Sequence, residues 1–124
     1  MGFTNILWVG IGGALGSIIR YLVQKHLTQV YPLSFPLSTF IVNVSGCFLI
    51  GLFFGLSDKH QYFTPAVRLL MMTGFCGGFT TFSAFTLEGM QLLNEQRFLI
   101  FTLYFVLSVL FGLIATFAGF RITH

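Results

Sequence analysis

Four stretches of this sequence, 4–23, 37–56, 66–92 and 98–120, each run for the length of a membrane crossing with hardly a charge inside them. A helix needs about 20 apolar residues to cross a hydrocarbon layer about 30 Å thick. Only 7% of the 124 residues are charged and 56% are hydrophobic, where a soluble domain carries about 25% charged residues. So few charges cannot clothe a water-soluble globule of this size. Inside a bilayer every backbone N–H and C=O must find its partner within the chain, which leaves helices as the simplest solution. The pattern predicts an all-α integral membrane fold of four transmembrane helices, one unit spanning residues 1–124. The connections are short: 24–36, with Pro32 and Pro36, then 57–65, then 94–96. The first apolar run lacks a basic start and a convincing cleavage site, so it is expected to be a span and not a leader.

The six basic residues are Arg20, Lys25, Lys59, Arg68, Arg97 and Arg121, scattered singly. A nucleic-acid partner is not expected, because no patch exists for a phosphate backbone to follow. They read as markers of membrane ends. An even number of spans puts both termini on one side, with Lys59, Arg68 and Arg121 there and Arg20, Lys25 and Arg97 opposite. Three against three gives no positive-side bias. With Arg20 counted by its nearest end, two readings stand: a bias of one or two residues is too small to count, or the chain inserts both ways, and the expected assembly is then a dual-topology, antiparallel homodimer. Cys47 and Cys76 lie in apolar stretches with no second Cys or His at metal spacing, and are expected to be buried free thiols.

Polar groups at membrane depth are expensive, so each needs a partner or a task. Asn43 sits near the centre of the second span, one turn after Thr39. Two readings stand open: an interhelical bond that glues helices, or a donor aimed at a permeating anion. In the third span, Gly77-Gly78-Phe79-Thr80-Thr81-Phe82-Ser83 combines paired glycines with β-branched and hydroxyl residues that weaken a helix. A break is expected there, and unwound carbonyls at that depth suit a small cation. Phe82, Phe85 and Glu88 then follow along one helical face, and Tyr104, Ser108, Gly112 and Thr116 form a narrow stripe on the fourth span. Gly12-x-x-x-Gly16, Gly51-x-x-x-Gly55 and Gly74-x-x-x-Gly78 fit close helix packing. Catalysis is not expected: among Asp58, Glu88 and Glu95 only Glu88 lies inside a span, and His26, His60 and His124 fall at the edges. The chain reads as a conduit or a binding unit and not an enzyme.

Gly12-Gly13-Ala14-Leu15-Gly16 with Arg20-Tyr21, Thr39-x-x-x-Asn43-x-x-Gly46, and the run from Gly74 to Phe85 together resemble the Fluc (CrcB) fluoride channels. The resemblance covers all four spans. It implies passive export of fluoride across the microbial cytoplasmic membrane by an antiparallel homodimer with two pores. It further implies a structural sodium ion held by backbone carbonyls of Gly77 and Thr80 from both subunits. The pore residues it implies are Asn43, Phe82, Phe85, Tyr104 and Ser108, with Thr81, Ser83 and Glu88 on or beside a polar track and Arg20 in the vestibule. The chain departs from the usual Thr-Thr-Phe-Ser-Thr-Phe at Ala84, and has Gly112 where some relatives carry Ser. The alternatives are a dual-topology small multidrug exporter, against which the first span offers no carboxylate, and a non-transporting membrane assembly subunit.

Overall fold

A computed structural model describes residues 2–31 and 34–124, and every regular element among them is helical. The elements are α1 (Gly2–Val30), α2 (Leu37–Lys59), α3 (Pro65–Arg68), a π-helical segment (Leu69–Cys76), α4 (Gly77–Phe79), α5 (Phe82–Asn94) and α6 (Phe98–Thr123). Four stretches are long and apolar enough to cross a membrane: α1, α2, the composite Pro65–Asn94 and α6. α1 and the composite third span overshoot their apolar runs at both ends, α2 and α6 only at their C-terminal ends. The connection expected over 24–36 is shorter than the sequence suggests, because α1 continues to Val30. No Gly or Pro lies between Gln24 and Val30 to stop it, and helical hydrogen bonding does not end where hydrophobicity ends. Pro32, expected in that connection, lies outside the described residues.

Local chemistry sets the remaining ends. Thr64 caps α3, its hydroxyl accepting from the Val67 N–H at 3.3 Å, with Pro65 at the first helical position. The turn between α5 and α6 contains Gln96 at φ 58°, a left-handed conformation that a side chain adopts only at some cost.

Two parallel helix pairs build the bundle. α1 lies on the π-helical segment and α4 through Gly12 and Gly16. A Cβ on Gly12 would strike the Leu70 carbonyl, and one on Gly16 the Phe75 carbonyl. α2 lies on α6 through Gly51 and Gly119, where a Cβ would strike the carbonyls of Thr116 and Phe48. Of the three glycine pairs singled out by spacing, all six members press on a neighbouring helix. α5 joins α6 through an aromatic cluster in which Phe85 stacks on Phe105 (ring centroids 4.3 Å apart) and Phe105 meets Phe101 (4.5 Å).

The third span is broken, but not by its glycines. Gly77 and Gly78 stay in helical geometry, and the chain leaves the helix at Thr80 (φ −81°, ψ 158°) and Thr81 (φ −147°, ψ 115°). Gly78 serves close approach instead, since a Cβ there would meet the Gly13 carbonyl oxygen at 2.5 Å. Thr80 keeps its own helical bond, its N–H donating to the Cys76 carbonyl at 3.0 Å, and the ladder is replaced only from Thr81 on. Thr80 Oγ1 donates to the Cys76 carbonyl at 2.9 Å, and Thr81 Oγ1 accepts from the Ala84 N–H at 3.1 Å, capping α5. Upstream, the π-helical turns bring the Gly77 N–H to the Met72 carbonyl, five residues back.

Candidate functional site

The break is held from outside by one side chain. Asn43 on α2 donates from Nδ2 to the Thr81 carbonyl (3.0 Å) and accepts the Thr81 N–H at Oδ1 (2.8 Å). Its amide thus pairs with Thr81 as a neighbouring strand would. This satisfies both backbone groups of Thr81 at membrane depth. One Nδ2 hydrogen remains for another acceptor. Arg20 on α1 donates from Nε to the Gly78 carbonyl at 3.1 Å, placing a cation at the C-terminal end of α4, where the helix dipole favours it.

These bonds leave two particular carbonyls without their helical partners. The Thr81 N–H that would bond Gly77 in an unbroken helix goes to Asn43. The Ala84 N–H that would bond Thr80 goes to the Thr81 hydroxyl. Gly77 and Thr80 both line the same cavity, and nothing stands within 4 Å of where a Gly77 Cβ would be. Neutral oxygens released from the ladder, with no bulk over Gly77, fit a small hard monovalent cation. Among the described residues no group of three His, Cys, Asp or Glu converges that would call for a transition metal.

The cavity has a volume of about 470 Å³ and runs alongside the break. It gathers Asn43, Thr81, Phe82, Phe85 and Ser108, five of the residues singled out from the sequence, from α2, α5 and α6. The Ser108 hydroxyl is buried and makes no hydrogen bond to any described residue. Phe85 is 8% exposed while Phe82, whose ring centroid lies 5.9 Å away, is 76% exposed. Ser83 lies on the exposed side of α5, its hydroxyl 3.5 Å from that of Thr81.

Tyr104 and Glu88 belong to a second group next to the first. Glu88 accepts from the Thr39 hydroxyl at Oε2 and from the Tyr104 hydroxyl at Oε1, both at 2.8 Å. Gln24 Nε2 in turn donates to Thr39 Oγ1 at 2.9 Å. Thr39 and Tyr104 are fully buried. One carboxylate therefore ties α1, α2, α5 and α6 together, and Phe85, packed on Tyr104 at 5.0 Å, joins the two groups. Gln24 is the residue that the sequence reading misses, having been placed in a connection. A signal was present: Gly12, Gly16, Arg20 and Gln24 are spaced by four and form one stripe along α1. Arg20 belongs to neither group and is bonded to Gly78 at the edge of the break.

Comparison with known proteins agrees with this architecture. The family model described as "CrcB-like protein, Camphor Resistance (CrcB)" matches residues 7–120. Curated proteins named "Fluoride-specific ion channel FluC" are similar over nearly the whole chain. That of Flavobacterium psychrophilum is 45% identical over 115 residues, 93% of each chain. That of Gloeothece citriformis is 46% identical over 115 residues, again 93% of each, and that of Leptospira interrogans serovar copenhageni is 43% identical over 120 residues, 96% of this chain and 94% of its own. With a family match along almost its full length and relatives above 40% identity, this chain belongs to the CrcB-like family.

Proposed function

We propose that this protein is a fluoride-selective channel of the microbial cytoplasmic membrane, passing fluoride out of the cell passively and without enzymatic chemistry, and so reducing its toxicity. The observation that carries the reading within the chain is the buried, unpartnered Ser108 hydroxyl on the wall of a membrane-depth cavity. A buried donor with no protein acceptor is costly unless something else takes the bond. A small, strongly hydrated anion needs such donors to leave water. The spare Nδ2 hydrogen of Asn43 and the hydroxyls of Thr81 and Ser83 extend the set. The edges of the Phe82 and Phe85 rings, which carry partial positive charge, would suit an anion in this cavity. No Lys or Arg lines the cavity, so nothing there traps the anion, and conduction requires binding weak enough to release. Arg20, at the edge of this region, draws anions toward it.

The working unit in this reading is an antiparallel homodimer of two oppositely inserted copies. The three-against-three charge count and the exposed Phe82 beside an open cavity support it, since a second copy would cover both. A structural sodium ion would be held by the Gly77 and Thr80 carbonyls of both copies, neutralising partial negative charge that the break leaves bare. Reconstitution into liposomes tests the function directly. Fluoride is expected to leave on dilution and chloride to stay; equal release of both, or of neither, overturns the reading.

A further inference from the structure

Sequence distance keeps Cys47 and Cys76 apart, yet the fold brings them to one wall. α2 runs antiparallel to the third span in a register fixed by two contacts: Asn43 against Thr81, and Gly46 against Thr80 and Phe79. Cys47 follows Gly46 on α2, Cys76 lies three residues before Phe79 at the end of the π-helical segment, and both line the cavity beside the break. Met72, one turn before Cys76, lines it too. Both cysteines are free thiols. Among the described residues the cavity wall thus carries three sulfur side chains and no carboxylate or imidazole. The Thr80 and Thr81 hydroxyls and the Asn43 amide are bonded within the break, whereas Ser108 and Thr73, which line the same cavity, make no such bond.

We propose that Cys47, Cys76 and Met72 form a binding site for a soft monovalent d10 cation of the copper(I) and silver(I) class. Soft thiolate and thioether ligands select such ions over hard ones. On binding, one thiol gives its proton to water as a metal–sulfur bond forms, and no electron is transferred. One thiolate, one thiol, one thioether and one monovalent cation make a neutral site, which membrane depth tolerates where a charged one would be expensive. The bound ion sits on the same cavity wall as Thr81, Phe82 and Ser108, so its occupation stops fluoride passage. That last step rests on the channel reading, whereas the binding does not.

The test uses the full-length channel in vesicles in chloride-free buffer, with silver(I) as the probe. After desalting, one silver ion per chain is expected to remain, and X-ray absorption at the silver edge is expected to show sulfur neighbours only. Oxygen or nitrogen neighbours, or no retained silver, overturn the site; this measurement needs no variant. Cys47→Ser should lose most of the retained silver and Met72→Leu a smaller share, because soft sulfur ligands are what select the ion. Retention unchanged in Cys47→Ser also overturns the site. Silver should silence fluoride efflux, and a competing small thiol should restore it. Persistent efflux with silver bound overturns the block alone, whereas absence of efflux before silver is added would count against the channel.

Discussion

Asn43 grips both backbone groups of a single residue, Thr81, and that bidentate hold explains why an amide stands in the middle of a span. Asn43→Asp keeps the size but turns the donating nitrogen into an oxygen facing the Thr81 carbonyl. The Thr81 carbonyl is then left unsatisfied, at a cost of about 1–3 kcal/mol. A lower thermal unfolding midpoint and a severe loss of fluoride efflux are expected together; a normal midpoint would show that the clamp contributes nothing. Gln24→Leu removes the donor to Thr39 but leaves the Thr39–Glu88–Tyr104 bonds possible. It should cost about 0.6 kcal/mol, the average for hydrogen bonds between membrane helices, visible as a small drop in unfolding midpoint. No drop at all would mean that the Gln24–Thr39 bond is not held in the bilayer. Neither partner choice is written in the local sequence, because Asn43 offers the same amide to any acceptor that the fold supplies.

Among the elements, the glycines divide by what stands over them. Gly12 and Gly16 touch backbone of the π-helical segment and α4, which cannot move aside as a flexible side chain can. Gly12→Ala is expected to cost about 1–3 kcal/mol through overpacking. Gly10→Ala, with nothing within 4 Å of the added methyl, should be neutral or stabilising by about 0.5–1 kcal/mol through helix propensity. Parallel unfolding curves of the two variants decide this, and equal effects would contradict the packing. Within the third span, the general region of the break was legible from its helix-weakening residues. Its position was not. Glycine permits departure from a helix, but the chain departs where replacement hydrogen bonds exist, and those come from Thr81 and a residue on another helix.

For the molecule as a whole, the balanced charges and the open side of the cavity bear on assembly. Adding two or three Lys to one terminus should fix a single orientation and abolish efflux when that variant is expressed alone. Co-expression with an oppositely fixed copy should restore it. Full activity from one uniformly oriented population would exclude the antiparallel pair. Thorough sodium depletion should weaken association of the two copies or silence efflux, because the Gly77 and Thr80 carbonyls would then lack a partner. Unchanged association and flux would leave those carbonyls to water.

The sequence by itself determined that the chain is helical and lies in a membrane, since a bilayer tolerates no unpaired backbone and this composition tolerates no other solvent. It also marked most of the residues that the structure gathers, because polar groups at membrane depth stand out singly against hydrocarbon. Only the tertiary structure decided how they divide: Asn43 to the break, Glu88 to Thr39 and Tyr104, Arg20 to Gly78, and Cys47 to the wall it shares with Cys76. The physical reason is register. A helix's own periodicity shows which side chains share its face, but which of them meet depends on how far one helix slides along another, and backbone contacts at Gly12, Gly16, Gly51 and Gly119 set that distance.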